Sequence, residues 1–190
     1  MLENTLIVCY LSILGLLAIY GFHRSMLVYL FFKTKEQMPK PKRTYREDEL
    51  PFVTVQLPLF NERYVCGRLI DAVAEFDYPR NKFEIQVLDD STDDTTEIAR
   101  AKTEEVAARG FQISLIHRTD RTGYKAGALE NGLRTAKGEL VAVFDADFVP
   151  PRNILRDTIH FFTDDGVGMV QARWDHLNRR YSMLTRIESL

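Results

Sequence analysis

Little in this 190-residue chain is present in excess. Cysteine is scarce: Cys9 lies in an apolar run and Cys66 outside it, so no disulfide between them is expected and a reducing compartment suits both. Neither stands in a metal-ligand spacing, so no zinc site is assigned. The formal net charge is −2 at pH 7, which leaves no basic excess for bulk nucleic-acid binding. There is no internal repeat and no low-complexity segment. Long apolar runs are confined to the N-terminus.

That N-terminus is the first positive feature. Residues 6–22 are almost continuously apolar, and residues 26–32 resume the run after His23-Arg24-Ser25. The first stretch makes about 25 Å of helix, marginal for a hydrocarbon core of about 30 Å and ample if the helix continues to Phe32. A cleaved signal peptide would want a basic start and a small-residue cleavage site. Glu3 and the bulky residues after the run argue instead for an uncleaved anchor, residues 1–32. Arg24 can snorkel from the span. The basic flank Lys33, Lys35, Lys40, Lys42 and Arg43 puts the rest of the chain in the cytoplasm, on the inner (plasma) membrane. Residues 33–50, with Pro39 and Pro41, read as a basic cytoplasmic linker and residues 51–190 as the soluble domain.

Beyond Pro51 the pattern alternates. Apolar runs at 52–57, 83–88, 113–116 and 140–144 predict strands, that at 140–144 a buried one, and a short one is expected at 167–171. Val65, Leu69, Val73 and Phe76 share one helical face. Further helices are expected at 94–109, ended by Gly110, at 124–136 and at 153–162. Strand–helix alternation of this kind predicts an α/β domain, a mostly parallel sheet with helices on both faces. Such sheets bind ligands beyond the carboxyl ends of their strands.

The unusual polar residues fall at those ends. After the first strand comes Pro58-Leu59-Phe60-Asn61-Glu62. Asn61 reads most simply as a helix cap, and Glu62 either favours the first turn or accepts hydrogen bonds from a ribose or base. After the second strand, Asp89-Asp90-Ser91-Thr92-Asp93-Asp94 holds four carboxylates in six residues. Ser91, Thr92 or Asp93 can cap the next helix, which leaves Asp89 and Asp90 free to accept from a base or a ribose. After the third come His117 and Arg118, then Arg121-Thr122-Gly123-Tyr124-Lys125-Ala126-Gly127-Ala128. Arg118 and Arg121 are consistent with solvated surface cations, and His117 with a structural histidine. A lysine in the first turn of a helix opposes the macrodipole unless an anion is nearby, and a diphosphate would be that anion. After the fourth strand stands Asp145-Ala146-Asp147. It is either an acidic turn or a pair facing a divalent cation that bridges phosphates.

In this order the motifs resemble those of family 2 glycosyltransferases of the cellulose synthase and β-mannan synthase-like group. The resemblance rests on Val55-Gln56-Leu57-Pro58 with Asn61-Glu62, on Gln86-Val87-Leu88-Asp89-Asp90-Ser91-Thr92-Asp93, on Gly123-Tyr124-Lys125-Ala126-Gly127-Ala128-Leu129, and on Phe144-Asp145-Ala146-Asp147-Phe148. It implies a Rossmann-like GT-A fold, that of nucleotide-diphospho-sugar transferases. It implies an inverting transfer from UDP-glucose or GDP-mannose onto a growing β-linked glycan, in a protein surrounded by membrane lipid. Carried over residue by residue, Glu62, Asp89 and Asp90 would contact the nucleoside, and Pro58 and Asn61 would belong to the same nucleotide-sugar site. Lys125 would meet the diphosphate, together with Asp145, and Asp145 and Asp147 would hold Mg2+ or Mn2+.

The departures from that pattern matter too. The group also carries a Thr-Glu-Asp element whose Asp is the general base, and a Gln-x-x-Arg-Trp motif for the acceptor. Gln171-Ala172-Arg173-Trp174 has one residue too few between Gln and Arg, and matches an earlier family segment. The expectation is an N-terminal, donor-binding piece of a GT-A domain incomplete at its C-terminus, with no catalytic base before Leu190. Two alternatives stand beside it. One is a non-catalytic nucleotide-sugar binding module. The other is a haloacid dehalogenase-type phosphatase, resembled by residues 141–149, in which Asp145 is the nucleophile and Asp147 the general acid.

Overall fold

The structure is a computed structural model that describes residues 2–34, 39–173, 178 and 180–188. It divides into two units, Met1–Lys40 and Pro41–Leu190. The first is a single helix, α1 (Leu2–Thr34), which runs without a break through His23-Arg24-Ser25. Asn4–Thr34 is long and apolar enough to cross a membrane, with a mean hydropathy of 2.2. Ser12, Ser25 and Thr34 satisfy their hydroxyls within the helix by donating to the carbonyls of Val8, Gly21 and Leu30.

The second unit alternates strand and helix in the order β1 (Val53–Leu59), α2 (Cys66–Ala74), β2 (Phe83–Asp89), α3 (Thr95–Ala108), β3 (Ile113–His117), α4 (Tyr124–Leu133), β4 (Leu140–Val143), α5 (Ile154–Ile159) and α6 (Met183–Glu188). The four strands form one parallel sheet in the order β3-β2-β1-β4. Successive crossovers step outward from β1 to β3, and the chain then jumps back to pair β4 with the other side of β1. The crevice beyond the ends of β1 and β4 is therefore the topological switch point.

The two faces of the sheet differ in chemistry. Val53, Val55, Leu57, Phe83, Ile85 and Val87 join Leu69, Ile70 and Val73 of α2 and Ala99 and Val106 of α3 in the apolar core. On the opposite face, against α4, β1 and β2 bury polar side chains beside the apolar Leu88. Thr54 donates to Glu84 (2.8 Å), whose carboxylate also accepts from the Lys137 amide, and Gln56 donates to Gln86 (3.0 Å). Burying these groups is tolerable because they are paired. Gly132 lets α4 approach this face closely: a Cβ there would lie 2.6 Å from Gln56 Nε2 and push the amide pair aside.

Three expectations need correction. The run at 140–144 is not a buried strand: β4 lies at the edge of the described sheet, and Val141 and Val143 are 41% and 43% exposed. Residues 167–171 form no strand. The segment 41–50 is no free linker. Tyr45 N donates to His160 Nδ1 (3.0 Å), Arg156 pairs with Glu47, Thr163 bonds both backbone groups of Arg43, and Leu50 enters the core. Trp174 lies outside the described residues.

Candidate functional site

Pro58 helps to open the switch-point crevice. The Gln56 carbonyl accepts from Phe144 N (3.2 Å), so alternate residues of β1 direct their backbone groups toward β4. Pro58, two residues on, faces the same way and has no N–H to offer, and pairing between β1 and β4 stops at Gln56 and Val143. Asn61 does not cap α2. It adopts a left-handed conformation (φ 56°), which asparagine tolerates, and ties two strand ends together. Its amide donates to Ser91 Oγ (2.9 Å), and its side-chain oxygen accepts from Thr92 N (2.9 Å). Glu62 is exposed beside it.

The acidic cluster after β2 is resolved by position. Asp93 accepts from Thr95 N (3.0 Å) in a local turn just ahead of α3, whose N-cap position is Asp94 and carries no side-chain capping bond. Asp89 and Asp90 are enclosed instead. Asp89 accepts from Ser91 N (3.1 Å) and Thr96 Oγ1 (2.7 Å) and bonds His117 Nδ1 (2.7 Å). Burial on its own would push the Asp89 carboxyl up, but the hydrogen bonds from Thr96, Ser91 and His117 outweigh it and hold the group below the usual range. Asp90 receives the Arg118 guanidinium as a fork, at 2.8 and 2.5 Å. Arg118 is therefore no solvated cation. Arg121 lies 3.3 Å from the centroid of the Phe60 ring, a cation–π contact between the β1 loop and the approach to α4.

The turn into α4 is tightly constrained. Gly123 (φ 75°) and Tyr124 (φ 48°) are both left-handed, and Asp120 accepts from Thr122 N (2.9 Å). Gly127 backs directly onto this turn, where a Cβ would collide with the Thr122 carbonyl oxygen. Lys125 follows in the first helical turn, and its ammonium is ion-paired with Asp145 just after β4. The anion that its position calls for is, in this state, a carboxylate from the far side of the crevice.

Asp145-Ala146-Asp147 forms a turn in which the Phe148 amide donates to the Asp145 carbonyl (3.1 Å). Ala146 is buried and anchors the turn, Asp147 is exposed, and the Asp145 side chain is partly so. Two carboxylates one residue apart on an open turn suit Mg2+ or Mn2+, which take one or two protein carboxylates and complete their shell with phosphate oxygens and water. Among the described residues no third His, Cys, Asp or Glu joins them. Arg68 of α2 donates to the Asp147 carbonyl (3.4 Å), a contact with no signal in the local sequence. A cavity of about 460 Å³ begins at Lys125 and Asp145 and runs along β4, walled by Val141, Val143, Phe148 and Val149. The phosphatase alternative needs this motif on the first strand of its sheet, whereas here it follows the fourth.

Comparison with known proteins agrees with this geometry. Residues 54–182 match the sequence model described as glycosyl transferase family 2. The chain is 40% identical over 147 residues to the probable glucomannan 4-beta-mannosyltransferase 7 of Oryza sativa subsp. japonica, covering 75% of this chain and 25% of that protein. It is 38% identical over 175 residues to glucomannan 4-beta-mannosyltransferase 2 of Arabidopsis thaliana, covering 87% and 33%. The chain thus spans between a quarter and a third of the length of these relatives. Among solved structures, the mannosyltransferase PcManGT from Pyrobaculum calidifontis, in complex with GDP-Man and Mn2+, is similar with a TM-score of 0.67 at 32% identity, over 80% of this chain and 44% of that one. TarS of S. aureus is similar with a TM-score of 0.51 at 26% identity, over 59% of this chain and 19% of that one.

Proposed function

Because the chain belongs to glycosyl transferase family 2, in its cellulose synthase-like group and with the GT-A fold, we propose that it binds a nucleotide sugar at the switch point. In the whole protein the hexose passes with inversion to a hydroxyl of a growing β-linked glycan. GDP-mannose is the donor this reading favours, with UDP-glucose the alternative. Its support is the mannosyltransferase names of the relatives and the GDP-Man complex of PcManGT. The observation that carries the reading is Lys125 facing Asp145 across the crevice, with Asp147 on the same turn.

Each group has a task that follows from charge and position. Pro58, Asn61 and Glu62 border the nucleoside, and Asp89 and Asp90 build the loop beneath it. Lys125, in the first turn of α4, takes the diphosphate and stabilises it as it departs. Asp145 and Asp147 would hold Mg2+ or Mn2+, which supplies positive charge to the same phosphates when bound. The helix α1 anchors the protein among the lipids of the cell's inner (plasma) membrane, with the second unit in the cytoplasm.

Calorimetry on the chain with GDP and with UDP, each in Mn2+ and in EDTA, tests the site and names the base together. Metal-dependent binding of GDP in preference to UDP is expected. Absence of binding by either nucleotide in Mn2+ overturns the donor-site assignment.

A further inference from the structure

Arg118 sits where three parts of the proposed site meet. Its backbone amide donates to the Asp89 carbonyl (2.9 Å), which extends the β2–β3 ladder one residue past its end. Its guanidinium forks onto Asp90 through Nε and Nη2, and the Asp90 side chain is 4% exposed. The remaining donors reach forward to the turn that opens α4: Nη2 to the Tyr124 carbonyl (3.1 Å) and Nη1 to the Thr122 carbonyl (3.4 Å). Tyr124 is a left-handed non-glycine residue, a conformation that persists only where its surroundings over-determine it. The next residue is Lys125, which closes the path at Asp145.

We propose that Arg118 is a positioning residue for the donor diphosphate: its planar fork holds Asp90 and the Thr122–Tyr124 carbonyls in one plane, and so sets where Lys125 stands. This rests on the nucleotide-sugar reading of the site. The Arg118 side chain is 16% exposed and its guanidinium is committed to Asp90 and the two carbonyls, so its role is exerted through Lys125. Charge alone does not serve this purpose. A lysine at 118 keeps the positive charge beside Asp90 but lacks the five-donor fork, so it cannot hold Asp90 and two carbonyls at once.

The readout that separates positioning from general support of the fold is coupling to Lys125. Calorimetric titration of the full chain with GDP, or with UDP if that is the base the wild type binds, is carried out in Mn2+ on four proteins: wild type, R118K, K125A and R118K/K125A. A thermal melt of each accompanies it. R118K is expected to weaken binding about tenfold with its melting transition retained, and K125A at least as much. The double variant is expected to bind within about threefold of K125A alone, because a misplaced lysine matters only while the lysine is there. Independent losses that multiply in the double variant, or an R118K protein that binds like wild type, overturn the positioning role and leave the donor site standing. A wild type that binds neither nucleotide overturns both.

Discussion

The Lys125 ammonium, in the first turn of α4, is ion-paired with the Asp145 carboxylate just after β4, although the two elements lie on opposite sides of the crevice. Both side chains are about half exposed, so the pair contributes only about 0.2–1 kcal/mol and is easily exchanged for other partners. In the proposed site, a divalent cation at Asp145 and a phosphate at Lys125 would compete for it.

Replacing Lys125 should therefore have effects of opposite sign. In K125A, Mn2+ alone binds two- to fivefold more tightly, because the carboxylate loses its internal cation (about 0.5–1 kcal/mol). GDP in Mn2+ binds at least tenfold more weakly, because the diphosphate loses a charge-assisted contact. Titrating metal and nucleotide separately measures the two signs. A parallel loss of both would show that the pair serves the fold rather than the ligand.

The Asp145–Asp147 turn predicts where metal dependence resides. D145N and D147N should each remove most of the difference between Mn2+ and EDTA in GDP affinity, leaving weak binding that is insensitive to chelator. Because Asp147 is exposed, D147N should melt within a degree or two of the wild type. Retention of the full metal effect in D147N would place the cation elsewhere.

Asp89 predicts an acid limb of stability. Its folded-state carboxyl lies below the ordinary value near 3.9, so the folded protein binds fewer protons there than the unfolded chain. The stabilisation is complete above that ordinary value and is lost as pH falls through the folded one. Chemical denaturation of D89N between pH 6 and pH 3 should give a flatter fall of stability with acid than the wild type. Parallel curves would mean that Asp89 does not carry the effect.

Two glycines predict a contrast. G127A drives a Cβ into the Thr122 carbonyl and within 3.1 Å of Arg118 Nη1, so it should destabilise by about 1–3 kcal/mol and weaken GDP more than tenfold. G110A, at the end of α3 with φ 85° and open space around it, should cost about 1–2 kcal/mol of backbone strain and leave nucleotide binding unchanged. Urea midpoints and calorimetry on both variants test the pair. Equal effects on GDP would sink the claim that Gly127 supports the turn.

Local chemistry is legible wherever it depends on neighbours along the chain. Gly110 ending α3, Lys125 in the first turn of α4 and the apolar face of α2 follow from capping, dipole and periodicity, and the structure has each of them. Asn61 reads as a cap in the sequence because a side chain that ties two loops together leaves no trace in its own segment. Arg118 reads as solvated for the same reason, since its partner Asp90 is 28 residues away.

By itself, the sequence determined the alternation of strand and helix, the apolar N-terminal helix and the family motifs, because short-range periodicity and residue chemistry set all of these. Tertiary structure decided the strand order, and with it the crevice between β1 and β4, because pairing partners are chosen by crossovers tens of residues long. It decided that Val141 and Val143 stand at a sheet edge, since exposure depends on which strands pair with β4. It also decided which carboxylates are enclosed and which are presented. Asp89 and Asp90 have partners from β3 and its loop, whereas Asp147 stands on an exposed turn, and that division depends on distances across the fold.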